Sequence, residues 1–85
     1  MIIRGIEWKG DFDKLITAEY GDYTMKVEDV GRNVYWEVRY LGDVIETADT
    51  PQISHRVGGY SPNMRGGTLK SINAMKRHQK TRRVL

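Results

Sequence analysis

The chain has 85 residues, no cysteine and a formal charge of +3, which bounds it to one small domain without disulfides, thiolate chemistry or a cysteine zinc site. The opening MIIRGIEW is too short and too charged for a signal peptide or a membrane span, so a cytoplasmic protein is expected. Residues 1–55 hold all eleven acids against six Lys and Arg, whereas residues 56–85 hold Arg56, Arg65, Lys70, Lys76, Arg77, Lys80, Arg82 and Arg83 with no acid.

Residues 2–8, IIRGIEW, predict a strand with Ile2, Ile6 and Trp8 on one side, weakened by Gly5. The following KGDFDK is either a tight turn or a short excursion anchored by Phe12. Gly10-Asp11, Gly21-Asp22, Gly31-Arg32 and Gly42-Asp43 are Gly-first dipeptides of the kind that close two-residue hairpins. Turning at Gly21-Asp22 pairs Tyr20 with Tyr23, Ala18 with Met25 and Ile16 with Val27. Turning at Gly31-Arg32 pairs Val27 with Trp36, Met25 with Val38 and Tyr23 with Tyr40, and sets Lys26 against Glu37 on the other face. Turning at Gly42-Asp43 pairs Tyr40 with Ile45 and Val38 with Thr47, and sets Arg39 against Glu46. A slip of one residue inverts a strand's faces, so three turns that keep one apolar face predict an antiparallel meander.

After Ala48 the period is lost. The segment DTPQISHRVGGYSPNMRGG is expected to be a loop over 49–67, functional or mobile at that length. TLKSINAMKRHQK predicts a helix over 68–80, with Thr68 as N-cap and Leu69, Ile72 and Met75 as a narrow apolar stripe docked beside Trp36 and Val38. Residues 81–85 would be a basic tail. The fold class is therefore α+β: an antiparallel meander of four to five strands over 1–48 with one C-terminal helix on one face, all one domain. Its expected core is Ile16, Tyr20, Met25, Val27, Trp36, Val38, Ile45, Leu69 and Ile72.

Catalysis has little to stand on. His55 falls in the glycine-rich loop and His78 among cations, neither with a carboxylate near in sequence to orient it. Asp11 and Asp13 lack the further oxygen ligands of a calcium loop. No enzyme, metal or cofactor is expected. GGYSPNMRGG matches neither a Walker loop nor a dinucleotide fingerprint, though Tyr60 offers a stacking face and Arg56 and Arg65 offer phosphate donors. The basic C-terminus is the strongest signal, because each cation that meets a phosphate gains by counterion release. The bland alternative is a solvated tail, or one neutralised by the acidic sheet. A stripe without Trp or Phe is poor for insertion into lipid, so no membrane partner is expected.

The stretch NVYWEVRYLGDVIETADT followed by a loop and a helix resembles small domains that bind DNA through a three-stranded sheet, such as plant AP2-type domains and the arm-binding domains of tyrosine recombinases. In those families basic and aromatic residues of the outer sheet face read the major groove. Here that face carries Glu37, Glu46 and Glu28 with Lys26 and Arg39, which moves any DNA contact to the helix, the loop and the tail. In length, lack of cysteine and its short basic helix the chain also resembles small bacteriophage-encoded proteins, which implies binding and inhibition of a host macromolecule. The expected function is non-enzymatic binding of DNA or RNA through Arg56, Tyr60, Arg65, Lys70, Lys76, Arg77, Lys80, Arg82 and Arg83. The alternative is a modulator of a host nucleic-acid enzyme with an acidic surface, contacted through Tyr35, Glu37 and Arg39. A sheet edge would also allow pairing with a second copy.

Overall fold

A computed structural model describes residues 1–31, 33–47 and 61–84, with side chains through 82. Six strands, β1 (Ile2–Ile3), β2 (Ile6–Asp11), β3 (Leu15–Tyr20), β4 (Tyr23–Asp29), β5 (Val34–Tyr40) and β6 (Asp43–Thr47), are followed by one helix, α1 (Met64–Val84). The strands form a single sheet in sequence order, every neighbour antiparallel. The α+β class and the meander hold. The strand count is six where four to five were expected, because residues 2–8 form a hairpin instead of one strand. Ile3 pairs with Ile6, and Arg4 and Gly5 close the turn with φ of 52° and 81°. Positive φ at both central residues is the type I′ geometry that matches strand twist. Ile2 then pairs with Glu7 and lies 70% exposed, away from Ile6 and Trp8.

The registers expected around Gly21-Asp22 and Gly31-Arg32 are those observed, from Tyr20 opposite Tyr23 to Val27 opposite Trp36. Two turns differ. Gly10-Asp11 lies inside β2, paired with Ile16 and Leu15, and the chain reverses through Phe12, Asp13 and Lys14, where the Asp13 N–H donates to Asp11 Oδ1 at 2.9 Å. The last hairpin turns at Leu41-Gly42, with φ of 52° and 92°, so Tyr40 faces Asp43 and Arg39 faces Val44. A bulge beside Val38 and Arg39 then shifts the register until Val38 faces Glu46 and Glu37 faces Thr47. The Arg39–Glu46 pair is therefore not made. Residues that pair directly share a face, so Glu46 stands on the helix side with Val38 while Arg39 points to the outer face.

The chain returns to the sheet at Ser61, whose N–H and C=O bond to Val34 at 3.2 and 2.8 Å. Asn63 caps the helix: its side chain accepts from Gly66 N–H at 2.7 Å, satisfying one of the donors left orphaned in a first turn. The helix thus starts at Met64, one turn before the expected Thr68, and it continues through residues expected to be a tail. Thr68 is buried inside it, its hydroxyl donating to Met64 O at 2.8 Å, and the buried Ser71 donates to Thr68 O at 2.8 Å. Back-bonding of this kind lets hydroxyls face a core without an unsatisfied donor.

The buried face of α1 is Met64, Gly67, Thr68, Ser71, Ile72, Ala74 and Met75. Small side chains bring it down on β4 and β5: a Cβ on Gly67 would stand 2.9 Å from Val34 Cγ1 and 3.0 Å from Val27 Cγ1. The core beneath consists of Ile6, Trp8, Ile16, Ala18, Tyr23, Met25, Val27, Val34, Trp36 and Val38. Three expected core residues are less enclosed. Ile45, at the bulge, and Leu69, on the helix flank, are half-buried, while Tyr20 at the sheet's end is exposed. The face of the sheet away from α1 carries no described element.

Candidate functional site

Helix geometry of about 100° per residue distributes the cations of α1 around the sides and back of its buried face. Arg65, Lys70, Lys76, Arg77, Lys80 and Arg82 are exposed, and the helix has no acidic residue in its first turn. Arg65 and Leu69 line a groove of about 600 Å³ with Met1, Ile2, Ile3, Arg4 and Phe12, so that flank overhangs the β1 side of the sheet. Lys76 lies three turns further along the same flank, since eleven residues return the helix to within about 20°. Lys70 and Arg77 occupy the other flank, toward β6.

Only one of these cations meets an acid among the described residues. Arg77 Nη2 sits 2.6 Å from Glu46 Oε1, with the two side chains 62% and 41% exposed. A pair so open to water contributes roughly 0–1 kcal/mol, so Arg77 remains exchangeable. The outer sheet face carries Glu7, Glu19, Glu28 and Glu37 among Lys9, Lys26 and Arg39, read from the registers. The thickness of the sheet and helix separates those acids from the outer side of α1 by more than a Debye length of about 8 Å. Among the described residues, Arg65, Lys70, Lys76 and Lys80 make no ion pair with the acidic half, whereas Arg77 and Arg82 are drawn onto the sheet.

Near the C-terminal end of α1, Arg82 and His78 come down on the sheet. Arg82 Nε donates to the Tyr23 hydroxyl at 3.2 Å, and that hydroxyl lies 2.9 Å from His78 Nδ1. A phenol has one proton to give, and a guanidinium accepts none. The Tyr23 hydroxyl is therefore the acceptor toward Arg82, and its direction toward His78 follows the imidazole tautomer. The Arg82 guanidinium lies 4.7 Å from the Tyr40 ring centroid and 5.7 Å from that of Tyr23. The bond to Tyr23 raises the Arg82 pKa most, against a smaller opposing effect of burial. Tyr23 and Tyr40 centroids are 5.0 Å apart, and His78 lies 5.1 Å from Tyr40. Arg82 and His78 thereby become parts of an aromatic cluster, and His78 has an anchoring role that its position among cations did not suggest.

The second candidate cluster lies on the outer face. Tyr35 donates to Glu37 Oε1 and Arg39 Nε to Glu37 Oε2, both at 2.7 Å, and Lys26 Nζ stands 5.9 Å from the Tyr35 ring centroid. Burial pushes the Glu37 carboxyl up, but the two hydrogen bonds with the charges of Arg39 and Lys26 outweigh it and hold the group below the usual range. Lys26 faces Glu37 in register, as expected, and it also lies 3.7 Å from Glu28.

Of the remaining expected site residues, Arg83 belongs to the last turn of α1, and Arg56, Tyr60 and His55 lie outside the described residues. No described helix is long and apolar enough to cross a membrane. Comparison with protein-family models, curated proteins and solved structures yields no match.

Proposed function

We propose that the protein binds nucleic acid, with α1 as its phosphate-contacting element. The observation that carries this reading is the set Arg65, Lys70, Lys76 and Lys80, exposed along one helix and making no ion pair with a described residue. Each such cation that meets a phosphate releases condensed counterions. Arg77 joins them by exchanging a surface pair, while Arg82, held on Tyr23 and Tyr40, contributes less. The direct test is binding of a labelled oligonucleotide across a salt series. Affinity should fall steeply, and replacing Lys76 and Lys80 by Gln should lower the log–log slope by about one per cation removed. Wild-type binding that is flat in salt would refute the proposal.

A second reading is supported by the outer face, which no described element covers and where Tyr35, Glu37 and Arg39 are fixed to one another. An ordered aromatic and ion-pair cluster costs little further entropy on docking, which suits a contact with a partner protein. Retention of one protein from a nuclease-treated lysate, lost on Tyr35→Ala and kept on charge reversal at Arg82 and Arg83, would favour this reading over the first.

A further inference from the structure

Tyr20, Tyr23 and Tyr40 occupy adjacent positions on three neighbouring strands, each directly opposite the next in register. Directly paired residues share a face, so the three rings form a row about 10 Å long at one end of the helix side of the sheet, given the spacing between strands. Two of the three are roofed. Tyr23 is buried, and Arg82 and His78 lie over Tyr23 and Tyr40. Tyr20 has no such roof among the described residues and is 44% exposed, although its position in the pleat is that of a core residue.

Apolar-face aromatics of small domains are normally covered, and an open ring next to a cationic helix is the pairing that single-stranded nucleic acids use. Their bases stack on the ring while their phosphates track the cations. The helix supplies those cations on the correct side. β3 lies on the β1 side of the strands beneath α1, the side of the flank that carries Arg65 and, eleven residues on, Lys76, and Lys80, four residues later, is turned about 40° further toward solvent. Asp22 and Asp43, at the two turns that flank the row, repel phosphate, which leaves the base to occupy the rim and the backbone to lie along the lysines.

Resting on the nucleic-acid reading above, we infer that the ligand is single-stranded and that Tyr20 is a base-stacking residue, with Lys76 and Lys80 holding the adjoining phosphates. A duplex keeps its bases stacked on one another, so it can use the lysines but not the ring.

The full chain and its Tyr20→Ala and Tyr20→Phe variants would be titrated at low salt with labelled oligothymidylate and oligouridylate of about 15 nucleotides, and with a duplex of the same length. Tyr20→Ala should weaken binding of the single strands roughly tenfold and leave the duplex unchanged, and Tyr20→Phe should bind like the wild type because the ring is kept. Far-ultraviolet circular dichroism checks that both variants are folded. Equal single-strand affinity for wild type and Tyr20→Ala overturns the stacking role, as does loss in Tyr20→Phe. A duplex that binds as tightly as the single strands overturns the ligand class while leaving phosphate binding by α1 intact. No binding to any of the three probes refutes both proposals.

Discussion

Replacing Gly67 by Ala sets two known effects against each other, and the structure decides the sign. In a solvent-exposed helix the change stabilises by about 1 kcal/mol, since glycine is the weaker helix former. Here the new Cβ would lie 2.9 Å from Val34 Cγ1 and 3.0 Å from Val27 Cγ1, closer than carbon atoms settle. Neither neighbour can swing away, because β-branched side chains in a packed sheet have few rotamers and both valines are buried. The helix must lift or the sheet must bend, and overpacking of this kind costs about 1–3 kcal/mol. The net expectation is a loss of roughly 1 kcal/mol, or about 4–8 °C in Tm for a domain of this size. Urea and thermal unfolding followed by circular dichroism measure it, with Asn73→Ala on the exposed face as the control that changes propensity alone and should stabilise by up to about 0.7 kcal/mol. A Gly67→Ala variant as stable as the wild type, or more so, would refute the close seating of α1 on β4 and β5.

Gly10 and Gly5 give a matched pair. Both have positive φ, 113° and 81°, but a Cβ on Gly10 would collide with the backbone carbonyl oxygen of Leu15 while one on Gly5 meets nothing within 4 Å. Gly5→Ala should cost about 1–2 kcal/mol, and Gly10→Ala more than about 3 kcal/mol, enough to threaten cooperative unfolding; similar urea midpoints for the two would count against the β2–β3 geometry. Glu37→Gln keeps the shape of a side chain that is 11% exposed and removes its charge, so a loss of about 1–3 kcal/mol is expected at neutral pH. Because the folded-state pKa of Glu37 is depressed, its stabilisation is present above the ordinary glutamate range and lost as pH falls through the lower folded value. The gap between wild type and Glu37→Gln should therefore close with acidification, and a gap independent of pH would sink the assignment.

Much of the sheet was legible because period-2 patterning and hairpin closure constrain each other. Once Tyr20 is set opposite Tyr23, every residue of β3, β4 and β5 has its face assigned, and the observed registers agree. The hairpin at Leu41-Gly42 was displaced because a Gly-first rule places glycine at the first turn position, whereas here a leucine adopts left-handed φ and glycine takes the second. A bulge, which adds one residue to a ladder, has no periodic signal, and it moved Glu46 to the side where it finds Arg77. The start of α1 was hidden for a different reason. Its buried face is built from Gly67, Thr68, Ser71 and Ala74 as much as from Ile72 and Met75, so apolar periodicity undercounts it. The repeat of small residues at 67, 68, 71 and 74 was the available signal.

The sequence alone determined the division of charge along the chain, the α+β class and the shared apolar face of the central strands, since each follows from composition or local period. Which of those charges and rings stay available was decided by tertiary structure. The sheet screens α1 from the acids of the outer face, Arg82 and His78 fold onto Tyr23 and Tyr40, and Tyr20 is left without a roof among the described residues. Those outcomes depend on where the helix comes to rest across the strands, which is fixed by side-chain volumes meeting between elements far apart in sequence.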